Sequence, residues 1–222
     1  MKVKNKTIVV TGAGSGMGRQ LVIQLAAGGA KIVAIDLNKA ALNDTEALVR
    51  GGEFRSFVLD ITNRTEVVET ANKIIREGAV DGVINNAGII QPFVKLNDVS
   101  YDMIERVMNV NFYGSLHIVK AFLPHLLSRP EAHIVNVSSM GGFLPVPGQT
   151  IYGASKAAVK LMTEGLRSEL ADTNVKVSVV FPGAVNTNIL ANSGLANPSS
   201  IPSDSKHSKA AKILTAEKAA EI

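Results

Sequence analysis

The chain has 222 residues, a net charge of +4 and no cysteine. That length suits one domain with a substantial core, and the missing thiols rule out disulfides and thiolate metal sites while permitting a reducing compartment. The lysines lie mainly near the two ends (Lys2, Lys4, Lys6, then Lys206, Lys209, Lys212) with no aromatic residues between them, a solvated surface rather than a nucleic-acid groove.

Thr7 to Thr11 is a β-branched, apolar run that stops at glycines, and an apolar helical pattern follows from Leu21. After the Gly28-Gly29 helix stop, Lys31 to Asp36 reads as a short buried strand. Ala41, Leu42, Thr45, Leu48 and Val49 recur at helical spacing until Gly51-Gly52, and Phe54 to Leu59 is the third strand. Asn63 with Glu66 three residues on forms a helix-starting box ahead of Val67, Val68, Ala71, Ile74 and Ile75. Val80 to Ile84 is the fourth strand. Met103 to Leu127 reads as one long apolar-faced helix, bent near its end by Pro124. His133 to Val137 is the fifth strand, Tyr152 to Leu170 a helix, and Val175 to Phe181 a sixth strand covered on both faces. From about 186 to 212 the chain turns rich in Ser, Asn, Pro, Lys and Ala, a flap beside the site, and Thr215 to Ile222 starts a last helix. No segment reaches the length of a membrane span, and no signal peptide is recognisable, so the expected location is the cytoplasm.

Strands alternating with helices predict a three-layer, doubly wound α/β domain over residues 1–222. Its parallel strands are expected in the order 3-2-1-4-5-6, with ligands along their carboxyl ends.

Residues that carry chemistry cluster at those ends. Gly12, Gly14, Gly16 and Gly18 lie between a strand and a helix start, where close backbone approach and free N–H groups bind phosphate. Met17 stands where a G-x-G-x-x-G pattern would have its third glycine, so the motif reads Thr11-Gly12-x-x-x-Gly16-x-Gly18. Asp36 ends the second strand 18 residues after Gly18, where it can either accept hydrogen bonds from a ribose or cap the next helix. Asp60-Ile61 follows the third strand, with Asp60 open to a turn or capping role. Asn85-Asn86-Ala87-Gly88 closes the fourth, and two adjacent carboxamides there must find partners or lose about 1–3 kcal/mol each. Ser138-Ser139 ends the fifth. Tyr152 and Lys156, four apart on a helix, share one face. His117, His125, His133 and His207 lack metal-ligand spacing, so no metal is expected.

These motifs, in this order from Thr7 to Thr187, resemble the short-chain dehydrogenase/reductase family, which has a Rossmann fold. The resemblance implies hydride transfer between a secondary alcohol or ketone and nicotinamide. Tyr152 would be the general acid/base, and Ser139, 13 residues before it, would hold the substrate oxygen. Lys156 would lower the tyrosine pKa and bind the nicotinamide ribose, and Asn111 would hold a water through its main chain. Gly12, Ser15, Gly16, Met17 and Gly18 would surround the pyrophosphate, Asp36 the ribose, and Asp60 and Ile61 the adenine. Asn86, Ala87 and Gly88 would border the adenosine ribose. Pro182, Gly183, Val185 and Thr187 would face the nicotinamide. Neither Ser15 nor Leu37, where NADP-using members tend to carry a base, is basic, which favours NAD over NADP. An ammonium about 4 Å from the phenol would supply on the order of 4 kcal/mol, roughly what is needed to bring a pKa near 10 down to about 7, provided that the oxidised nicotinamide, itself cationic, binds first and adds to it.

The resemblance further implies a homodimer or homotetramer built on the two long helices, with Ala157, Ala158, Leu161, Met162 and Leu166 in excess of what one sheet face must cover. Ile89 to Phe93 and Met140 to Val146 flank the crevice and predict an apolar small-molecule alcohol or ketone as partner, with neither nucleic acid nor membrane. A dehydratase or epimerase on the same fold, or a nucleotide-sensing binding protein, are the rival readings. A broken catalytic set would mark the sensor. Members of the family usually run further, to a seventh strand, so the chain is expected to be a shortened or incompletely represented form with that strand missing.

Overall fold

Strand β1 (Thr7–Thr11) is buried at every position, as a central strand covered on both faces must be. Its side chains alternate: Ile8 and Val10 join one apolar cluster, Val9 the other. The computed structural model describes residues 1–195 and 213–221. Within them β1, β2 (Lys31–Asp36), β3 (Phe54–Val58), β4 (Gly82–Asn85), β5 (Ala132–Val137) and β6 (Val175–Val180) form one parallel sheet in the order β3-β2-β1-β4-β5-β6, as the alternation predicts. Helices α1 (Gly16–Ala27) and α2 (Lys39–Leu48) cover one face through Val22, Ala26 and Leu42. The other face is covered by α3 (Arg64–Glu77), α5 (Ser115–Leu127) and α6 (Thr150–Glu169), around Ile74, Ile118, Phe122 and Leu166. No described helix is long and apolar enough to cross a membrane.

The expected single helix from Met103 to Leu127 is three segments. Helix α4 (Tyr101–Met108) runs into a wide π turn at Asn109–Gly114, and α5 continues from it. Gly114, which ends the π turn, lets the helix meet the loop after β3 closely, since a Cβ there would stand 2.6 Å from Ile61 Cδ1. Strand β6 is not apolar on both faces: Lys176 is exposed, and the Ser178 hydroxyl is 2.9 Å from His133 Nε2.

The segment assigned to the flap is partly regular. Val185–Asn186 is a short strand, β7, paired in parallel with β8 (Leu214–Thr215), and Ile189–Asn192 is a helical turn, α7. The final turn α8 (Ala216–Ala219) docks on α1, where Gln24 Nε2 donates to Glu217 O at 3.0 Å. The rest of that segment, 196–212 with His207, lies outside the described residues. Among those described, three histidines have structural partners. His125 Nε2 accepts from Val80 N, His117 Nδ1 meets Ile61 O, and His133 meets Ser178.

Candidate active site

The carboxyl ends of the strands open into a cleft of about 1200 Å³. At one end is the glycine loop. Gly12 and Gly16 have φ of +66° and +51°, a region that disfavours side chains. A Cβ on Gly12 would stand 2.9 Å from Ala87 Cα, and one on Gly18 would strike the Gly12 carbonyl. Gly18 therefore serves packing and lies behind the wall, while Gly12, Ser15, Gly16 and Met17 line it. Ser15 makes no side-chain cap and the first turn of α1 holds no acidic residue, so its N–H groups and positive dipole end face the cleft uncompensated. This loop fits a dinucleotide: its glycines let the backbone pack closely against Ala87, Asp36 and Thr187, which leaves the main chain and the free N–H groups of α1 at the cleft.

The loop is held from both sides. Thr11 Oγ1 accepts from Asn86 N and Ala87 N at 3.1 Å each, while Asn86 Nδ2 donates to the carbonyls of Thr11 and Gly12. Asp36 Oδ2 accepts from Gly14 N at 2.8 Å and Oδ1 from Asn38 N at 2.9 Å. Asp36 does not cap α2. Asn38 does, accepting from Ala41 N. Asp60 makes the turn that was one of its two readings, with Oδ1 taking both Thr62 N and Thr62 Oγ1. Asp36, Asp60 and Ile61 all line the cleft, as do Asn86, Ala87, Gly88, Pro182, Gly183, Val185 and Thr187.

At the other end stand Ser139, Tyr152 and Lys156. Alternation along β5 separates the two serines: Ser138 turns inward and donates to Lys156 O at 2.7 Å, leaving Ser139 on the cleft, where its Oγ accepts from Gly141 N. Tyr152 occupies the first turn of α6, and Lys156 the next. Lys156 is buried and donates to Val137 O at 2.9 Å, with Nζ 6.0 Å from the centre of the Tyr152 ring. Burial lowers its pKa from 10.5 to about 8. Burial also raises the Tyr152 pKa above 10, with hydrogen bonding to Ser139 opposing it. Among the protein's own groups desolvation of the phenolate sets the direction, and the lowering expected of Lys156 belongs to the state with the cationic nicotinamide bound.

Asn111 lies behind the wall in the π turn, fully buried. Its Nδ2 donates to Ile89 O and Ser155 Oγ and its Oδ1 accepts from Ile89 N, while its main-chain oxygen accepts from Ser115 Oγ. The flanking loops divide. Ile89, Ile90, Phe93, Met140, Leu144 and Val146 line the cleft, whereas Gln91 turns into the protein and Phe143 stacks on Phe181 with ring centres 4.3 Å apart. Sequence reasoning missed Arg106 and Asn109, which also line the cleft, and Asn192, whose Nδ2 donates to Ser15 Oγ at 2.8 Å. Pairing over such a sequence distance leaves no local signal.

Comparison with known proteins matches these features. The family model described as short chain dehydrogenase covers residues 6–197. SadH of Mycobacterium tuberculosis, named as an oxidoreductase, is 38% identical over 199 residues, spanning 87% of this chain and 72% of its own length. A short chain dehydrogenase/reductase from Burkholderia phymatum, solved in complex with NAD, aligns with a TM-score of 0.87 at 31% identity, over 99% of this chain and 84% of that one. An NAD+-bound xylitol dehydrogenase aligns with a TM-score of 0.81 at 35% identity, over 84% and 73% of the two chains. Taken with the parallel sheet and the glycine-loop cleft, these matches mean that the chain belongs to the short-chain dehydrogenase family of NAD(P)-dependent oxidoreductases.

Proposed function

We propose that this chain is an NAD-dependent dehydrogenase that interconverts a secondary alcohol and a ketone. The observation that carries the reading is one cleft with the glycine loop and Asp36 at one end and Ser139, Tyr152 and Lys156 at the other. The NAD complexes of similar structures support the choice of cofactor. Bound NAD would supply the hydride acceptor at its nicotinamide. Gly12, Ser15, Gly16 and Met17 would hold its pyrophosphate and Asp36 its ribose. Asp60, Ile61, Asn86, Ala87 and Gly88 would hold the adenosine part, and Pro182, Gly183, Val185 and Thr187 the nicotinamide end.

The chain's own groups then have distinct roles. Ser139 Oγ would orient the substrate oxygen. The Tyr152 hydroxyl would give a proton to a ketone oxygen, a direction favoured by the burial that keeps the phenol neutral. In the alcohol direction the phenol must first lose its proton, and Lys156 is the cation offered nearby. Asn111 has the indirect role of fixing Ile89 and Ser155 around it. Ile89, Ile90, Phe93, Leu144 and Val146 support an apolar substrate. For the assembly we propose a homodimer through the outer faces of α5, with the π turn before it, and α6, where Leu127, Tyr113 and Leu161 are 44%, 46% and 70% exposed. Leu166 leaves the expected set, because it packs in the core.

Four outcomes test this reading. Tyr152→Phe should bind NAD normally and lose about 10²–10⁴-fold in kcat across a panel of secondary alcohols; near-normal turnover would sink the mechanism. Wild type should prefer NAD to NADP. Asp36→Asn, which keeps an oxygen for Gly14 N but drops the charge, should narrow that preference about tenfold. Equal use by wild type would leave Asp36 only the loop to hold. Light scattering at micromolar concentration should report a dimer, and a monomer refutes the assembly.

Lys156 gives a test by pH. Its folded pKa of about 8 lies below 10.5, so the unfolded chain holds the extra proton between those values. Stability should therefore rise with pH from 8 to 10.5, by about 3 kcal/mol in all from this group, and the penalty should be present in full below 8. Urea midpoints at several pH values in wild type and Lys156→Met check it, the variant losing that slope. An unchanged slope would mean that Lys156 is not buried as a cation.

A further inference from the structure

Tyr152 lies in the first turn of α6, and that turn is capped from a remote part of the chain. A helix leaves its first N–H groups without intrahelical partners. The residue before α6, Gln149, makes no side-chain cap. Gln91, three residues beyond Gly88, caps the helix instead. Its Oε1 accepts from Ile151 N at 2.8 Å and from Tyr152 N at 3.0 Å. Its Nε2 donates to Gly148 O at 3.1 Å, and its main-chain oxygen accepts from Gln149 Nε2 at 2.9 Å. Gln91 is 0% exposed and does not line the cleft, so it touches neither substrate nor cofactor. The loop that carries it is anchored in turn, Ile89 to Asn111 and Ile90 N to Ser193 Oγ.

We infer that Gln91 is a positioning residue, which holds the backbone of Tyr152, and with it the phenol, in register with the exit of β4. Only an amide meets the site. Its oxygen faces two N–H donors and its nitrogen faces a carbonyl, so a flipped amide or a carboxylate would set like against like on at least one side. Placement matters because a shift of about 1 Å in a reacting group is enough to cost on the order of 10²-fold in rate.

The inference rests on the reading of Tyr152 as the proton-transferring group, so its test measures the tyrosine directly. The chain has three tyrosines and no tryptophan. The ultraviolet absorbance of tyrosinate, less that of Tyr152→Phe, therefore isolates the titration of Tyr152. Gln91→Met keeps the length and removes every side-chain hydrogen bond. It should loosen the first turn, admit water, and lower the Tyr152 midpoint by about one pH unit toward its ordinary value. Gln91→Glu keeps the acceptor for both N–H groups and, ionised at the alkaline pH where the phenol titrates, adds a negative charge beside Tyr152. Its midpoint should rise by about one pH unit. Displacements in opposite directions support the inference. A variant folded by circular dichroism whose Tyr152 titrates as in wild type overturns it, as does the same direction of displacement in both variants, which general loosening would produce. If Gln91→Met does not fold, Gln91→Glu decides alone. Turnover plays no part in this readout, so a wild type without dehydrogenase activity strikes the functional reading and not the placement.

Discussion

The stretch that leaves β4 is polar and enclosed, and in such surroundings an unpaired polar group is costly. From Asn85 to Gln91 the chain answers by reaching in turn β5, the glycine loop, the π turn and the start of α6. Asn85 Nδ2 donates to Asn136 Oδ1 on β5, and Asn136 Nδ2 donates to Thr163 Oγ1 on α6. Asn86 and Ala87 hold the glycine loop through Thr11, Ile89 holds the π turn, and Gln91 holds the start of α6. The glycine loop and the tyrosine helix thus share one reference, although they lie at opposite ends of the cleft. Asn85 Oδ1 and Gln149 Oε1 are the buried side-chain acceptors left without a partner among the described residues.

Charge is distributed to match. At the amino ends of the strands ionic groups are paired: Arg129 grips Asp81 through Nε and Nη2, Asp81 also accepts from Thr7 N, and Lys31 meets Glu53. At the carboxyl ends they bind backbone or stay open to the cleft. Asp36 holds Gly14 and Asn38, Lys156 holds Val137, and the N-terminus of α1 has no acid in its first turn. One end of the sheet is neutralised by ion pairs, and at the other the N-terminus of α1 is the place where an anionic group can meet free N–H donors.

The elements and the glycine loop were legible in the sequence because both depend on local composition, and the strand order followed from their alternation and the right-handed crossovers of doubly wound sheets. Most residues of the site were legible as well, through motifs on strand ends. What stayed hidden depends on contacts across the chain. The π turn at Asn109–Gly114 is a shift of hydrogen-bond partner within an apolar helical pattern, and composition carries no mark of it. Pairing of Val185–Asn186 with Leu214–Thr215 joins two segments too short for a periodic signal. Asp60 offered two readings because a turn carboxylate and a ligand-facing carboxylate look alike in sequence, and here its Oδ1 makes the turn while the residue also borders the cleft. Helical spacing gave the proximity of Tyr152 to Lys156 but not the depth of burial, which sets the direction of the Tyr152 shift in the chain without a bound cofactor.

Lys156 shows what this arrangement costs. A lysine held at about 8 by burial opposes folding at neutral pH by about 3 kcal/mol, a large part of the 5–15 kcal/mol that usually separates folded from unfolded chains. Space around it is therefore limited to what it needs. Gly88 is not one of the glycines with positive φ, so its backbone would accept a side chain. A Cβ there would stand 3.2 Å from both Lys156 Nζ and Asn111 Oδ1, tighter than ordinary contact. The glycine at 88 answers to the lysine and the asparagine packed against it rather than to a turn. The same Asn-Asn-Ala-Gly run thus joins two different constraints. Its carboxamides tie strands and loop together, and its glycine leaves room for the buried Lys156 ammonium.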